Sequence, residues 1–499
     1  MSEYRAHPFM LTQFLKPYLF VLLIPTAQGL LSYFLGGSLT SLIVGEAITA
    51  TALIVLSVIK LLRFRLYIGE DSIKVKNGVL IRSEAVIPFD KIATTFVKSD
   101  PLLWMAKCVE IRLNTEAGRP GKADFRMIVH ESATVKLRKV LSPTDVHTER
   151  VRLPAGRLII MAAVTSSSTT GLLIAAPVVS QAGKLLGEGF TEQFYNRITQ
   201  AVDAAVGVAG NHLGILIPPI AGVIALVLLA GFAVSFLLSV LKNLPMQFER
   251  RGDKMTVFAG SLIRRRTGFL LSGVNCVSII QNPVMMFLRR YNVKIGIAGY
   301  GNRRDETSVA IPAAGSDEVY RLTNAILPGV SLQARPQLRP PQRAFAFFCT
   351  LPTVILVSIP VAATLFSLLL PVFSELIWFL AFVAAMFDLV FFMVSVRRFR
   401  REGITIGDEF CALGLDWLSL SMVELHCPAE KVGVIRVLRF PTDHISSICR
   451  VKITVRSEGA ERINAAMLDE QQVAAALQER YGIDILKTDR KAGKRKPKH

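Results

Sequence analysis

Two stretches decide how this chain is read: residues 71–87, DSIKVKNGVLIRSEAVI, and residues 253–269, DKMTVFAGSLIRRRTGF. They align without a gap at an offset of 182. Asp71 meets Asp253, Val75 meets Val257, Gly78 meets Gly260, and Leu80-Ile81-Arg82 meets Leu262-Ile263-Arg264. The match runs on through 71–113 and 253–295, where Pro101 meets Pro283. At an offset of 340 a third stretch joins them: Pro88, Asp90, Lys91, Ile92 and Pro101 meet Pro428, Glu430, Lys431, Val432 and Pro441. Asn77-Gly78 between two β-rich runs is a strong hairpin signal. KIATTFVKS and VEIRLNT alternate, and ADFRMIVH follows, so each copy reads mostly as strands. Each closes on a short amphipathic helix: Leu137, Val140 and Leu141; Val319, Leu322 and Ile326; Val473, Ala476, Leu477 and Tyr481.

The apolar stretches between the copies are long enough to cross a membrane, which takes about 20 residues. Uncharged runs lie between Lys16 and Glu46, Arg157 and Lys184, Asp203 and Lys242, and Arg343 and Glu375, the last resuming to Val396. With a second span over about 42–62, this gives six candidate helices in three hairpin pairs. The first is too long and lacks the A-x-A pattern of a cleaved signal peptide. Of the 58 Lys and Arg, 52 fall in 63–155, 242–344 and 397–499, whereas loop 180–212 holds two. The positive-inside rule then puts both termini and all three polar segments in the cytoplasm. The expected organisation is a first helix pair in 1–62, a domain over 63–145, a second pair in 156–241 with an outer amphipathic loop 180–212, a domain over 246–330, a third pair in 344–396, a divergent domain over 397–486 and a basic tail 487–499.

Composition excludes a disordered or collagen-like chain: half of the residues are hydrophobic, 19% are charged, and mean hydropathy is +0.44. A net charge of +20 calls for an acidic partner. Six Cys in 499 residues are too few for a disulfide scaffold.

The paired helices, then x-G-x-L-I-R, V-I-P-F-D-K-I, a D-P-L-L-W turn and V-E-I-R-L, resemble the membrane-flanked bacterial pleckstrin-homology-like (PH-like) domains, the YdbS/YdbT-like proteins. Gly78-Val79-Leu80, Ile87-Pro88, Ile92 and Pro101 carry the resemblance in the first domain. Gly260-Ser261-Leu262, Val274 and Pro283 carry it in the second, with Leu270 in place of the Pro; the third keeps Pro428-Ala429-Glu430-Lys431-Val432. The resemblance implies a bent antiparallel sheet closed by a C-terminal helix. The expected fold is therefore a membrane α-helical part of six spans plus three cytoplasmic α+β PH-like domains. The family's association with the bacterial envelope and its stress defence implies an inner-membrane, multi-pass location.

Chemistry is sparse. No G-x-S-x-G, H-E-x-x-H or P-loop motif occurs. Gly118-Arg119-Pro120-Gly121-Lys122 reads as a turn, and Gly407-Asp408-Glu409-Phe410 lacks a nucleotide-cyclase context. His426-Cys427, His444, Cys449 and Cys411 have metal-like spacing but read as core residues, so neither metal nor cofactor is expected. Glu46 and Glu375 sit at the outer starts of spans. Asp388 lies well inside the sixth, as a helix–helix hydrogen bond or as part of a path. Phe190, Phe194, Ile198 and Val202 make the outer loop amphipathic.

The candidate lipid-headgroup contacts are Arg264, Arg265, Arg266, Arg289, Arg290, Arg397, Arg398, Arg400 and Arg401. The reading is a non-enzymatic membrane scaffold that binds anionic lipids of the cytoplasmic leaflet or protein partners, among them a related PH-like membrane protein; nucleic acid is not expected. The rival is a transporter of a small molecule or lipid that uses the bundle and Asp388.

Overall fold

The computed structural model describes residues 2–15, 26–28, 39–78, 82–115, 123–131, 148–168, 219–297, 309–326, 336–416, 420–439, 447–455 and 461–482, with scattered positions between 169 and 218. Most of the first and third expected spans and of loop 180–212, together with the closing helix of the first domain, His444 and the basic tail, lie outside the described residues. Two compact units result, one from Met1–Leu153 and Pro245–Gly273, the other from Pro154–Leu244, Val274–Ile297 and Arg304–His499.

The first unit opens with β1 (Ser2–Arg5), α1 (Met10–Leu15) and the apolar α2 (Leu39–Arg63). β2 (Arg65–Ile68), β3 (Ser72–Asn77), β4 (Ser83–Pro88) and β5 (Ile92–Ser99) follow. A single-turn α3 (Pro101–Met105) leads to β6 (Cys108–Thr115), β7 (Phe125–His130) and β8 (Thr148–Arg152). From further along the chain come β9 (Met246–Arg251), β10 (Lys254–Ala259) and β11 (Arg264–Leu270). β1 to β4 make one antiparallel sheet in chain order, and the other sheet runs β7-β6-β5-β11-β10-β9-β8. The hairpins aligned at an offset of 182 share one register: Asn77 pairs with Ser83 as Ala259 pairs with Arg265, and Ser72 with Pro88 as Lys254 with Leu270. Gly78 and Gly260, at φ 122° and 93°, turn them where a side chain would be strained. Alternation buries Leu66, Ile68, Ile73, Val75, Ile111, Leu113, Phe125 and Met127 in one core under Met10 and Phe14 of α1.

The second unit holds α4 (Ala155–Thr165) and α5 (Pro219–Asn243), then β12 (Val274–Gln281), α6 (Pro283–Phe287), β13 (Arg290–Ile297), β14 (Val309–Gly315) and α7 (Ser316–Ile326). Two long apolar helices follow, α8 (Phe345–Leu369) and α9 (Ser374–Arg401). After them come β15 (Gly403–Thr405), β16 (Glu409–Asp416), β17 (Ser421–Pro428), β18 (Val432–Leu438), β19 (Ile448–Val455), β20 (Glu461–Asp469) and α10 (Glu470–Tyr481). One sheet is ordered β14-β13-β12-β17-β16-β15 and the other β18-β19-β20. Asp469 caps α10 through the amides of Gln471 and Gln472, and Gly482 at φ 68° ends it.

Four helices among the described residues are long and apolar enough to cross a membrane: Ile43–Arg63, Ile224–Asn243, Gln342–Leu369 and Pro371–Arg401. At three places a strand or bridge before a helical segment pairs with the strand after it: β1 with β2, β8 with β9, and Leu338 with Ile404. The sequence reading began each domain after its helices and missed these leading strands.

Gly414 on β16 lies against β20. A Cβ there would stand 2.3 Å from the Asn464 carbonyl oxygen and 3.0 Å from Ile463 Cγ2. Backbone cannot yield as a flexible side chain does, so Gly414→Ala is expected to cost about 1–3 kcal/mol. Thermal unfolding of the purified full-length chain is the check; an unchanged transition would mean that the two sheets separate freely there.

Candidate functional site

The basic residues sort by what their elements do with them. β11 is a strand, so neighbouring arginines take opposite faces. Arg264 is exposed, Arg265 is 4% exposed, and the Arg266 guanidinium lies over the Phe258 ring at 4.9 Å. The three do not form one patch. On helix α9, Arg398 is 5% exposed, paired with the fully buried Glu402 and set over Phe348 at 5.0 Å. Arg397 donates to Gln281 Oε1 at 3.0 Å. Arg400 and Arg401 are exposed and, with Arg339, line a cavity of about 420 Å³ that also takes in Ile279, Tyr291, Tyr320, Leu413 and Glu424. Burial, then the Glu424 charge, raises the Tyr320 hydroxyl above its ordinary pKa.

Arg289 and Arg290 belong to a turn whose shape follows from its sequence. Pro283 supplies a fixed φ at the helix start, and the Asn282 side chain accepts from the Met285 amide at 2.9 Å. After one turn Arg289 takes φ 52° and throws the chain into β13. Met285 is buried, while Val284, Phe287 and Leu288 face out, Phe287 at 89% exposure. Met286 packs on the cluster formed by Val394 of α9 with Leu413, Leu415 and Met422. The corresponding α3 ends on Lys107 at φ 50° and exposes Leu102, Trp104 and Met105. The sequence shows α3 only as the D-P-L-L-W turn, and at α6 it points to Arg289 and Arg290 without the apolar residues beside them. Isolated exposed apolar residues are common, but three on one short turn beside cations form a patch.

Asp388 on α9 is 5% exposed, and neither carboxylate oxygen has a partner among the described residues. Glu46 accepts from Thr26 Oγ1 at 2.9 Å. On the third segment, Cys411, Glu424 and His426 lie together, with His426 Nε2 3.0 Å from Glu424 Oε1. Cys427 and Cys449 point instead into the hydrophobic core with Phe410, Leu425 and Val451. Burial, with Glu424 and Cys427 nearby, pushes the Cys411 thiol far above its ordinary range.

In the first unit, Glu110 is buried between Arg112 and Arg126, at 2.6 and 2.5 Å. Burial alone would raise its pKa; the hydrogen bonds from the two guanidinium groups outweigh that and lower it. Lys254 lines a smaller cavity of about 70 Å³ with Phe89, Ile92, Thr95 and Phe269.

Sheets that run from one hairpin into the next, strands that pair across apolar helices, and closing helices α7 and α10 define a class of membrane-associated protein with sheet-rich PH-like domains. The chain belongs to the bacterial PH domain family, whose model matches residues 19–146 and 202–329, just over half of its length. No curated protein and no solved structure matches it.

Burial, and the charges of Arg266 and Arg251, lower Lys254 from 10.5 to about 8. A lysine depressed on folding destabilises the folded state fully below pH 8, and the penalty fades as pH rises from the folded towards the unfolded value. Lys254→Met is therefore expected to raise the apparent Tm at pH 7, by up to about 3 kcal/mol of stability, with the gap narrowing by pH 10. A gap independent of pH would show that the gain comes from packing alone.

Proposed function

We propose that the chain is an integral scaffold of the bacterial inner membrane. In this reading it has six spans in three pairs, three PH-like modules of the YdbS/YdbT-like type and both termini in the cytoplasm. Its modules hold anionic lipid headgroups of the cytoplasmic leaflet, or a protein partner such as a related PH-like membrane protein, in envelope maintenance or stress defence. Its work is interaction rather than catalysis. Basic residues at the ends of the long helices, Arg63, Lys242 and Arg398 to Arg401, support that orientation.

The observation that carries the lipid reading is turn α6 at the foot of α9. Val394 lies three residues, about 4.5 Å of rise, towards the apolar side of Arg397, and Met286 packs on the Val394 cluster. That depth matches the bilayer–water boundary, where Val284, Phe287 and Leu288 would meet acyl chains and Arg289 and Arg290 would meet phosphates. Burying Phe287 there contributes about 1.5–3 kcal/mol. Each arginine adds about 1 kcal/mol near an anionic surface. Arg339, Arg400 and Arg401 around the larger cavity offer further cations at the same end of α9.

A nitroxide at position 287, placed by Phe287→Cys in a Cys349→Ser background, tests this in reconstituted vesicles of anionic lipid. The label is expected to be relaxed more by oxygen than by a water-soluble nickel chelate, and Arg289→Ser with Arg290→Ser is expected to make it shallower. Free access of the chelate to the label would remove the main support for lipid contact.

Asp388 favours the second reading, transport of a small molecule or lipid through the helices, because its buried carboxylate lacks a partner among the described residues. Transport predicts that Asp388→Asn abolishes function at unchanged membrane abundance and thermal stability. The scaffold reading predicts that phenotype and stability change together or not at all.

A further inference from the structure

Hairpin β16–β17 presents two chemically different faces. Phe410, Ala412, Leu425 and Cys427 enter the hydrophobic core. Cys411 stands directly across from His426 in the strand register, and Glu424 is two residues before His426, so all three share the other face. Their sulfur, carboxylate and ring-nitrogen atoms lie within 4.8 Å of one another. Cys411 and His426 are buried, and Glu424 lines the cavity of about 420 Å³.

We propose that Cys411, Glu424 and His426 bind a divalent transition metal of the zinc class, with the fourth coordination position open to that cavity. Thiolate, imidazole and carboxylate are the three ligand types that zinc takes. Bond lengths of about 2.3 Å to sulfur and about 2.0–2.2 Å to nitrogen and oxygen set ligand atoms roughly 3.3–3.6 Å apart around a tetrahedral ion. From the present separations that requires only small side-chain adjustments on two hydrogen-bonded strands. Charge also fits: a thiolate and a carboxylate neutralise a divalent cation, so the loaded site places no net charge beside Leu413 and Ile279. The cavity provides an entry path, and Tyr320 lines it alongside Glu424. This departs from the expectation of no metal, which rested on reading these cysteines and histidines as core residues. A 15-residue separation of Cys411 and His426 becomes contact once the hairpin pairs them. The inference stands apart from the lipid reading, since none of the three residues takes part in it.

Cobalt(II) is the probe, titrated into the full-length, tag-free protein in detergent after treatment with a chelator. One equivalent per chain is expected to give a thiolate-to-cobalt charge-transfer band in the near ultraviolet and visible bands of four-coordinate cobalt, with zinc displacing it. Cys411→Ser should abolish the charge-transfer band, and Glu424→Gln should weaken binding at least tenfold, while Cys427→Ser, on the opposite face, keeps the spectrum. Thermal unfolding of each variant in chelator checks that it folds. A parent without the band, or a band retained in Cys411→Ser, overturns the site. If Cys411→Ser does not fold, Glu424→Gln decides: cobalt affinity equal to the parent's overturns the site as well.

Discussion

The closure of sheet edges across the chain is the constraint on which the rest depends. A strand with free amide and carbonyl groups along one side is a liability. In the first unit, β5 is closed by β11, from 165 residues further on, with Arg264 opposite Ser99 and Phe269 opposite Thr94. In the second, β12 is closed by β17, with Val277 opposite His426 and Gln281 opposite Met422. Gly268 makes a close approach at the first seam: a Cβ there would lie 2.7 Å from Thr95 Oγ1, so the Thr95 side chain would have to turn away and give up its hydrogen bond to the Gly268 carbonyl. Each hairpin thus completes a sheet begun by an earlier stretch. The apolar helices enter as insertions between paired strands, β1 with β2 and β8 with β9, so a sheet grips the chain on both sides of a helical segment.

Such pairing also explains where polar chemistry collects. Strand alternation normally gives one face to a core and the other to solvent. In β16 and β17 both faces are covered: one by the β18–β20 sheet and α10, the other by the Val394 cluster, Met286 and the residues around the larger cavity. Polar residues on the second face must therefore find one another. His426 meets Glu424, and Cys411 sits beside both. The buried Glu110 solves the same problem with two guanidinium groups.

What was legible in the sequence was periodic and local. The hairpin at Asn77-Gly78, the closing helices α7 and α10, and the apolar helices α2, α5, α8 and α9 declare themselves through turn residues and unbroken hydrophobic runs. Strands β1 and β8 did not, because four or five residues rich in Arg and Glu carry too little alternation to register. The seam between β5 and β11 left no signal either. β5 reads as an ordinary alternating strand and β11 as the second arm of a repeated hairpin, and local pattern does not say which of several available edges each will meet. Arg264, Arg265 and Arg266 looked like one basic patch because consecutive letters were counted as neighbours. Period-2 geometry was already enough to send Arg265 to the opposite face. The apolar half of the α6 turn was written in Pro283–Arg289, but it gains meaning only beside Val394.

The run Arg397 to Arg401 shows how a charge pattern that satisfies topology can also set packing. The positive-inside rule asks only that cations follow the span, wherever they point. On a helix, successive residues are 100° apart, so four arginines in five positions fan around the axis. Arg398 turns inward, where Glu402 and the Phe348 ring hold its guanidinium, and Phe399 meets Phe345 and Phe348 edge-on at 5.1 and 5.8 Å. Arg397 reaches Gln281 at the end of β12, which itself donates to the Arg290 carbonyl at 3.1 Å. Only Arg400 and Arg401 remain exposed at the cavity. The Arg398–Glu402 pair turns with α9, so it is the contacts that leave the helix, from Arg398 and Phe399 to the Phe345 and Phe348 rings of α8 and from Arg397 to Gln281, that hold its foot against rotation about its own axis. The same contacts fix the α6 turn against that helix, which makes its apolar edge a rigid feature of the surface.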